Sequence, residues 1–225
     1  MNSLRPDGHA DFDPVVVREI DGCVAAHGRL LATIDGLSDA VAHGPSLLPG
    51  WTVGHVLTHL ARNADGFVHM IDGAERGEVV SQYPSPEART ADIEAGSGRP
   101  AEELVADVIA TAARLEERWR TTSATGWAGS GRTIMGPSAI VELPGRRRRE
   151  VEVHHADLGL GFTPQDWSTE YVRQELVRMQ MLWASRRPMG MTALPDAALA
   201  VAPHQRLAWL LGRATIDGLE PAGIY

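Results

Sequence analysis

Two histidines, His55 and His59, stand four residues apart in "GWTVGHVLTHLARNADG", residues 50–66. On a helix that spacing sets two imidazoles one turn apart, where they can share an ion or point to different neighbours. With about 100° of turn per residue, Val53, Val56, Leu57, Leu60, Ala64, Phe67, Val68 and Ile71 form one apolar stripe. His55 then faces almost opposite the stripe, towards solvent. His59 lies on its flank, with Asn63 closer still to the apolar face. The pair is therefore not a chelate, and of the two only His59 is placed for use in a helix-bundle core. The zinc-protease pattern is also absent, because "HVLTH" has no Glu after its first His.

A second stretch, "RREVEVHHADLGLG", carries Glu150, His154 and Asp157. Its alternation reads as a strand and its i, i+4, i+7 spacing as a helix face; either reading puts Glu150 and His154 on one side. Added to His59, they give two imidazoles and one carboxylate. That is the open three-ligand set of a catalytic zinc, with a fourth position left for water or a thiolate. Bundle cores assemble metal sites in this way, from facing helices. His155 points elsewhere, and Asp157 is placed to orient a ligand.

The elements that must position these groups are long helices. "DPVVVREIDGCVAAHGRLLATIDG" opens on Asp13 as N-cap with Pro14 behind it. The second helix follows Thr52. The third, "PAEELVADVIATAARLEERW", begins at Pro100 and repeats Leu104, Val108, Ala112, Leu115 and Trp119 at helical intervals. The fourth runs from about Ser138 to Leu158, with Pro144-Gly145 kinking it or delaying its start. Between the second and third lies "GEVVSQYPSPEARTADIEAGSG", a Pro/Gly/Ser-rich stretch read as a long functional loop. The expected fold is mainly α: an antiparallel four-helix bundle over residues 1–165, then a small C-terminal subdomain over 166–225. That tail holds the helical "STEYVRQELVRMQMLWASR", a Gly/Pro/Met stretch, "AALAVA" and the amphipathic "PHQRLAWLLGR".

Composition narrows the function. A chain of 225 residues with 44% hydrophobic content can build a packed core. A net charge of −8 argues against nucleic acid as partner, and the run Arg146–Arg149 reads as a solvated, partly ion-paired face. "GSGR" occurs at 96–99 and 129–132, but neither follows a convincing strand, so nucleotide binding is a poor reading. No apolar run or leader pattern suggests a membrane, so a cytoplasmic protein is expected, as monomer or homodimer. The lone Cys23 lies among apolar residues, so thiol chemistry would need a thiol from outside.

"GWTVGHVLTHLARNADG", "YPSPEARTADIEAGS" and "REVEVHHADLG" together resemble the mycothiol-dependent maleylpyruvate isomerase family of the DinB-like bundle superfamily. The similarity runs over about residues 10 to 160 in consistent order, with "WLLGR" near the end. The resemblance implies a zinc ion whose ligands map onto His59, Glu150 and His154. It also implies arginines that act on substrate, at the positions of Arg89 in "SPEAR" and Arg213 in "LLGR". The implied reaction is reversible addition of the mycothiol thiolate to maleylpyruvate, giving fumarylpyruvate. The family's C-terminal part is a small α/β domain, and here the stretch between Trp183 and Trp209 is short for its strands. A mycothiol S-transferase acting on another electrophile is the nearest alternative. A non-catalytic metal-binding bundle and a zinc hydrolase come after it.

Overall fold

The computed structural model describes residues 13–186 and 192–224. The chain divides into two compact units, Met1–Leu160 and Gly161–Tyr225. In the first, α1 (Pro14–Ile34) starts where the Asp13 carboxylate accepts the Val15 N–H and Pro14 takes the first helical position. A short α2 (Asp39–Ala42) leads to α3 (Val53–Glu75). Then come α4 (Pro86–Ser97), α5 (Ala101–Thr121) and a single turn, α6 (Ala124–Ala128). An antiparallel hairpin of β1 (Ser130–Thr133) and β2 (Gly136–Ala139) precedes α7 (Leu143–Asp157).

The four long helices α1, α3, α5 and α7 form a four-helix bundle. Both α1 and α3 pack on α5 and on α7, so α1 and α3 stand at opposite corners. The stripe of α3 predicted from periodicity is buried except for Val68, which is partly buried: Val56, Leu57, Leu60, Ala64 and Ile71 have no exposed surface. Around Leu57 and Leu60 gather Leu30, Ile34, Leu104, Val108 and Val151. Further along, Phe67, Met70 and Ile71 meet Ile20, Cys23, Leu115 and Trp119. Each such aliphatic or aromatic side chain contributes roughly 1.5–3 kcal/mol when fully buried.

Three expectations change. The stretch between the second and third helices is not a plain loop: α4 fills much of it, with Ser85 capping the Ala88 N–H, Pro86 opening the helix and Glu87 in its first turn. Only Ile93 and Ser97 of α4 are buried, so it has almost no apolar periodicity to betray it. The fourth helix starts at Leu143, because residues 136–139 pair with β1 and a 3-10 turn over Ile140–Glu142 intervenes. The arginine run is not a solvated face either, since Arg147 is 0% and Arg148 2% exposed. Arg148 reaches Glu19 of α1 at 3.5 Å and lies over Gly22, where a Cβ would stand 2.5 Å from its guanidinium carbon.

In the second unit a capped turn at Pro164–Asp166 leads to α8 (Thr169–Ala184), α9 (Asp196–Ala200) and α10 (Pro203–Leu210). Helices α8 and α10 pack together, the Trp183 and Trp209 rings 5.2 Å apart. Its described residues form no strand, so this subdomain is helical there. No helix among the described residues is long and apolar enough to cross a membrane.

Cys23 sits wholly inside the bundle, and burial pushes its thiol far above the ordinary value, past the opposing pull of Arg147. A raised thiol pKa leaves no thiolate at neutral pH. Native protein is expected not to react with Ellman's reagent at pH 7.5, and to release one equivalent of colour only in denaturant. Fast labelling of the native chain would contradict this.

Candidate metal centre

Helix α3 is held in phase by its first turn. Thr52 Oγ1 caps the His55 N–H, and His55 Nδ1 in return accepts the Thr52 N–H at 3.2 Å. His55 also stacks on Trp51 and reaches Glu94 at 3.3 Å. It is thus a capping residue with a side chain only 14% exposed, not the solvent-facing group expected from the helical wheel. One turn on, His59 turns into the seam between α3 and α7 and is 3% exposed.

The opposite wall is α7. "EVEVHH" is helical, and Glu150 and His154 lie one turn apart beside His59. Glu150 Oε2 is 3.0 Å from His59 Nε2 and 3.5 Å from His154 Nε2. The two imidazole rings meet edge to face, 4.7 Å between centroids. One ligand atom from each of the three residues lies within 4.8 Å of the others. Tetrahedral ligands about 2.1 Å from a zinc ion stand about 3.4 Å apart, so this donor set fits such an ion with little movement. His154 Nδ1 bonds to Asp157 Oδ2 at 2.8 Å, which leaves Nε2 as the nitrogen turned to the shared point. A carboxylate behind a ligand histidine is the usual orienting arrangement. His155 leaves the site and bonds to Thr33 at 2.7 Å.

Electrostatics sharpen the assembly. Burial lowers the His59 pKa to about 4, beyond what its bond to Glu150 restores, so its imidazole is neutral at pH 7. For Glu150, burial acts upward, but the hydrogen bonds of His154 and His59 win and hold its carboxyl well below the usual range. For His154, burial acts downward and is outweighed by Asp157 and Glu150, so its pKa is raised.

Arg89 reaches the site from α4, its Nη2 3.1 Å from His59 Nδ1. A guanidinium has no acceptor, so here Nδ1 carries the lone pair and Nε2 the proton given to Glu150. No carboxylate pairs with Arg89 among the described residues, and its Nε is buried without a partner. Arg213 belongs to the second unit, just past α10, where its Nη1 donates to the Leu211 carbonyl at 2.7 Å.

Beneath the three-residue cluster runs a support that sequence reasoning missed. Arg147, one turn before Glu150, donates from Nη1 to the Leu60 carbonyl at 2.7 Å and to Asn63 Oδ1 at 2.9 Å. Its Nε donates to His27 Nε2 at 3.1 Å, and His27 Nδ1 is 2.7 Å from Glu116. This ties α7 to α3 and, through His27, to α1 and α5. The available signal was phase: Asn63 and Arg147 share helix faces with His59 and Glu150. Arg147→Met is expected to cost about 3 kcal/mol in urea unfolding, because it strands buried acceptors. A change below about 0.5 kcal/mol would remove Arg147 from the structural role.

The family model described as the mycothiol maleylpyruvate isomerase N-terminal domain matches residues 23–159, more than half of the chain. The chain resembles the crystal structure of the mycothiol-dependent maleylpyruvate isomerase with a TM-score of 0.79, at 24% identity over 95% of this chain and 93% of that one. A histidine-to-alanine mutant of that enzyme superposes with a TM-score of 0.78 over the same shares and at the same identity. YfiT from Bacillus subtilis, described as a probable metal-dependent hydrolase with an unusual four-helix bundle topology, gives 0.54 at 15% identity, over 78% of this chain and 98% of its own. No curated protein matches the sequence significantly. At these identities the structures establish the DinB-like bundle fold. The sequence match of residues 23–159 goes further, and by it the chain belongs to the mycothiol maleylpyruvate isomerase N-terminal domain family.

Proposed function

We propose that this protein is a zinc- and mycothiol-dependent cis–trans isomerase of the cytoplasm that converts maleylpyruvate to fumarylpyruvate. The observation that carries the reading is the convergence of His59, Glu150 and His154 on one point, with the unpaired cation of Arg89 beside it. His59, Glu150 and His154 would hold the zinc ion. When bound, the ion supplies the charge that keeps a thiol as thiolate at neutral pH, the nucleophile for adding to and leaving a conjugated double bond.

The chain's own residues do the rest. Glu150 is ionised across the working pH range and carries the negative charge that balances a cation. Asp157 fixes the orientation of the His154 ring. Trp51 meets the His59 ring edge-on at 5.8 Å, an apolar flank against the donor set. A cation on His59 Nε2 requires the proton on Nδ1, where it would face an N–H of Arg89. Cation binding and the Arg89–His59 contact therefore exclude each other, and the guanidinium becomes available to a carboxylate or to developing oxygen charge. Arg213, assigned from the resemblance, would act on the same dianionic substrate. Cys23, buried and protonated, takes no part, so the thiol is supplied from outside.

Zinc-loaded protein incubated with mycothiol and maleylpyruvate is expected to form fumarylpyruvate and to return mycothiol unmodified by mass spectrometry. A stable thiol adduct as product would make the protein an S-transferase. His154→Ala should lower zinc affinity at least a hundredfold and abolish turnover, whereas His55→Ala, which removes only a helix cap, should keep its zinc. Full activity in a metal-free sample contradicts the reading. Arg89→Ala should retain zinc while kcat/KM falls about a hundredfold, the scale of losing one charged donor. Loss of zinc in that variant would make Arg89 a structural residue instead.

A further inference from the structure

The stretch before α4 brings a second oxygen chemistry to the site. Residues 80–82 run against α3 because α3 has glycines there: a Cβ on Gly66 would stand 2.7 Å from Gln82 Cγ, and one on Gly73 would stand 2.6 Å from Val80. The Gln82 N–H is pinned to the Arg132 carbonyl at 2.8 Å. This close approach sets Tyr83 next to Asn63, one turn beyond His59 on α3, with the Arg89 guanidinium carbon 5.8 Å from its ring centre.

The phenol oxygen of Tyr83 has a donor beside it. Gln82 Nε2 donates to it at 3.3 Å, and the Arg89 guanidinium lies over the ring. With its oxygen accepting, the hydroxyl proton must be given elsewhere. No described residue accepts it. Burial raises the phenol's pKa above its ordinary value, so the proton is present at neutral pH. The residue is half-buried, not sealed inside the bundle.

We propose that Tyr83 is a catalytic residue of this site, whose O–H donates a hydrogen bond to a ketone oxygen of a 2,4-dioxo acid substrate. The inference rests on the isomerase reading and deepens it. When sulfur adds to an alkene conjugated with a ketone, the S–C bond forms as the alkene π pair moves onto the ketone oxygen. After rotation about the resulting single bond the pair returns, the S–C bond breaks and the thiolate leaves. The oxygen is most basic between the two events. A neutral donor whose own oxygen accepts from Gln82 Nε2 and whose ring lies under a guanidinium strengthens its hydrogen bond as that charge grows, without giving up the proton. Arg89 bonds to His59 and lies over the Tyr83 ring, and so links the donor set to the phenol.

The test uses acetopyruvate (2,4-dioxopentanoate), which keeps the dioxo acid end of maleylpyruvate and lacks the alkene to be isomerised. By calorimetry, zinc-loaded Tyr83→Phe should bind it about tenfold more weakly than wild type, with equal zinc content and an unchanged melting temperature. In the isomerase assay kcat should fall about a hundredfold while KM for mycothiol stays put. Equal binding by the two proteins, or no binding by the wild type, overturns the proposal. Tyr83-dependent binding by a wild type that makes no fumarylpyruvate supports the dioxo acid contact and overturns the isomerase reading alone. A second readout needs no Tyr83 variant. In wild type labelled with 3-fluorotyrosine, three 19F lines are expected, for Tyr83, Tyr171 and Tyr225. Lines lost in Tyr171→Phe and Tyr225→Phe identify the third as Tyr83, and acetopyruvate must shift it. A Tyr83 line that stays in place overturns the proposal.

Discussion

Everything in the first unit bears on one seam, where α3 and α7 press two imidazoles and a carboxylate together inside a helix bundle. Bringing Glu150 beside His59 and His154 costs desolvation that apolar packing alone would not repay. The cost is met by mutual hydrogen bonds, with Asp157 behind His154 and Arg89 behind His59. Even so, burial drives His59 to a pKa of about 4, which leaves a neutral imidazole beside an ionised carboxylate. A seam of that kind suits the cation proposed for it. The support below it, from Arg147 to Leu60, Asn63 and His27, fixes the relative height of the two helices. Without that register the ligand atoms could not share a centre.

The periodic helices were legible from the sequence because their packing is ordinary. Asp13, Thr52 and Pro100 mark starts that the structure uses, and the α3 stripe is buried as the wheel dictates. The position of His59 on the flank of that stripe is also a matter of angle, and the seam is where it points. What escaped has a physical cause in each case. Helix α4 buries only two residues, so its evidence lay in the Ser85-Pro86-Glu87 cap and not in periodicity. Charge made the arginine run look exposed. Yet Arg147 and Arg148 lie between helices, where backbone carbonyls and Glu19 offer partners that no local pattern reveals. His55 faces away from the stripe as expected, but its ring folds back onto the helix start, a contact the wheel does not describe.

The site also shows a division of labour by chain distance. The donor set comes from two bundle helices, elements that place side chains more precisely than loops do. Arg89 and Tyr83 come from the irregular stretch between helices and from the lightly buried α4. A scaffold that fixes the ion while a more loosely packed segment presents substrate contacts can keep the metal chemistry and change the electrophile. The family model spans residues 23–159 and so takes in both the donor set and the segment beside it. The fold alone does not fix the reaction. The groups around the donor set do.

The most direct measurement of the central claim is X-ray absorption at the zinc edge, on protein reconstituted with zinc and then given mycothiol. The account predicts a first shell of nitrogen and oxygen with the multiple-scattering signature of two imidazoles. On adding the thiol, one sulfur should enter at about 2.3 Å while both imidazoles stay. A shell without two imidazoles, or one that gains no sulfur, would contradict it.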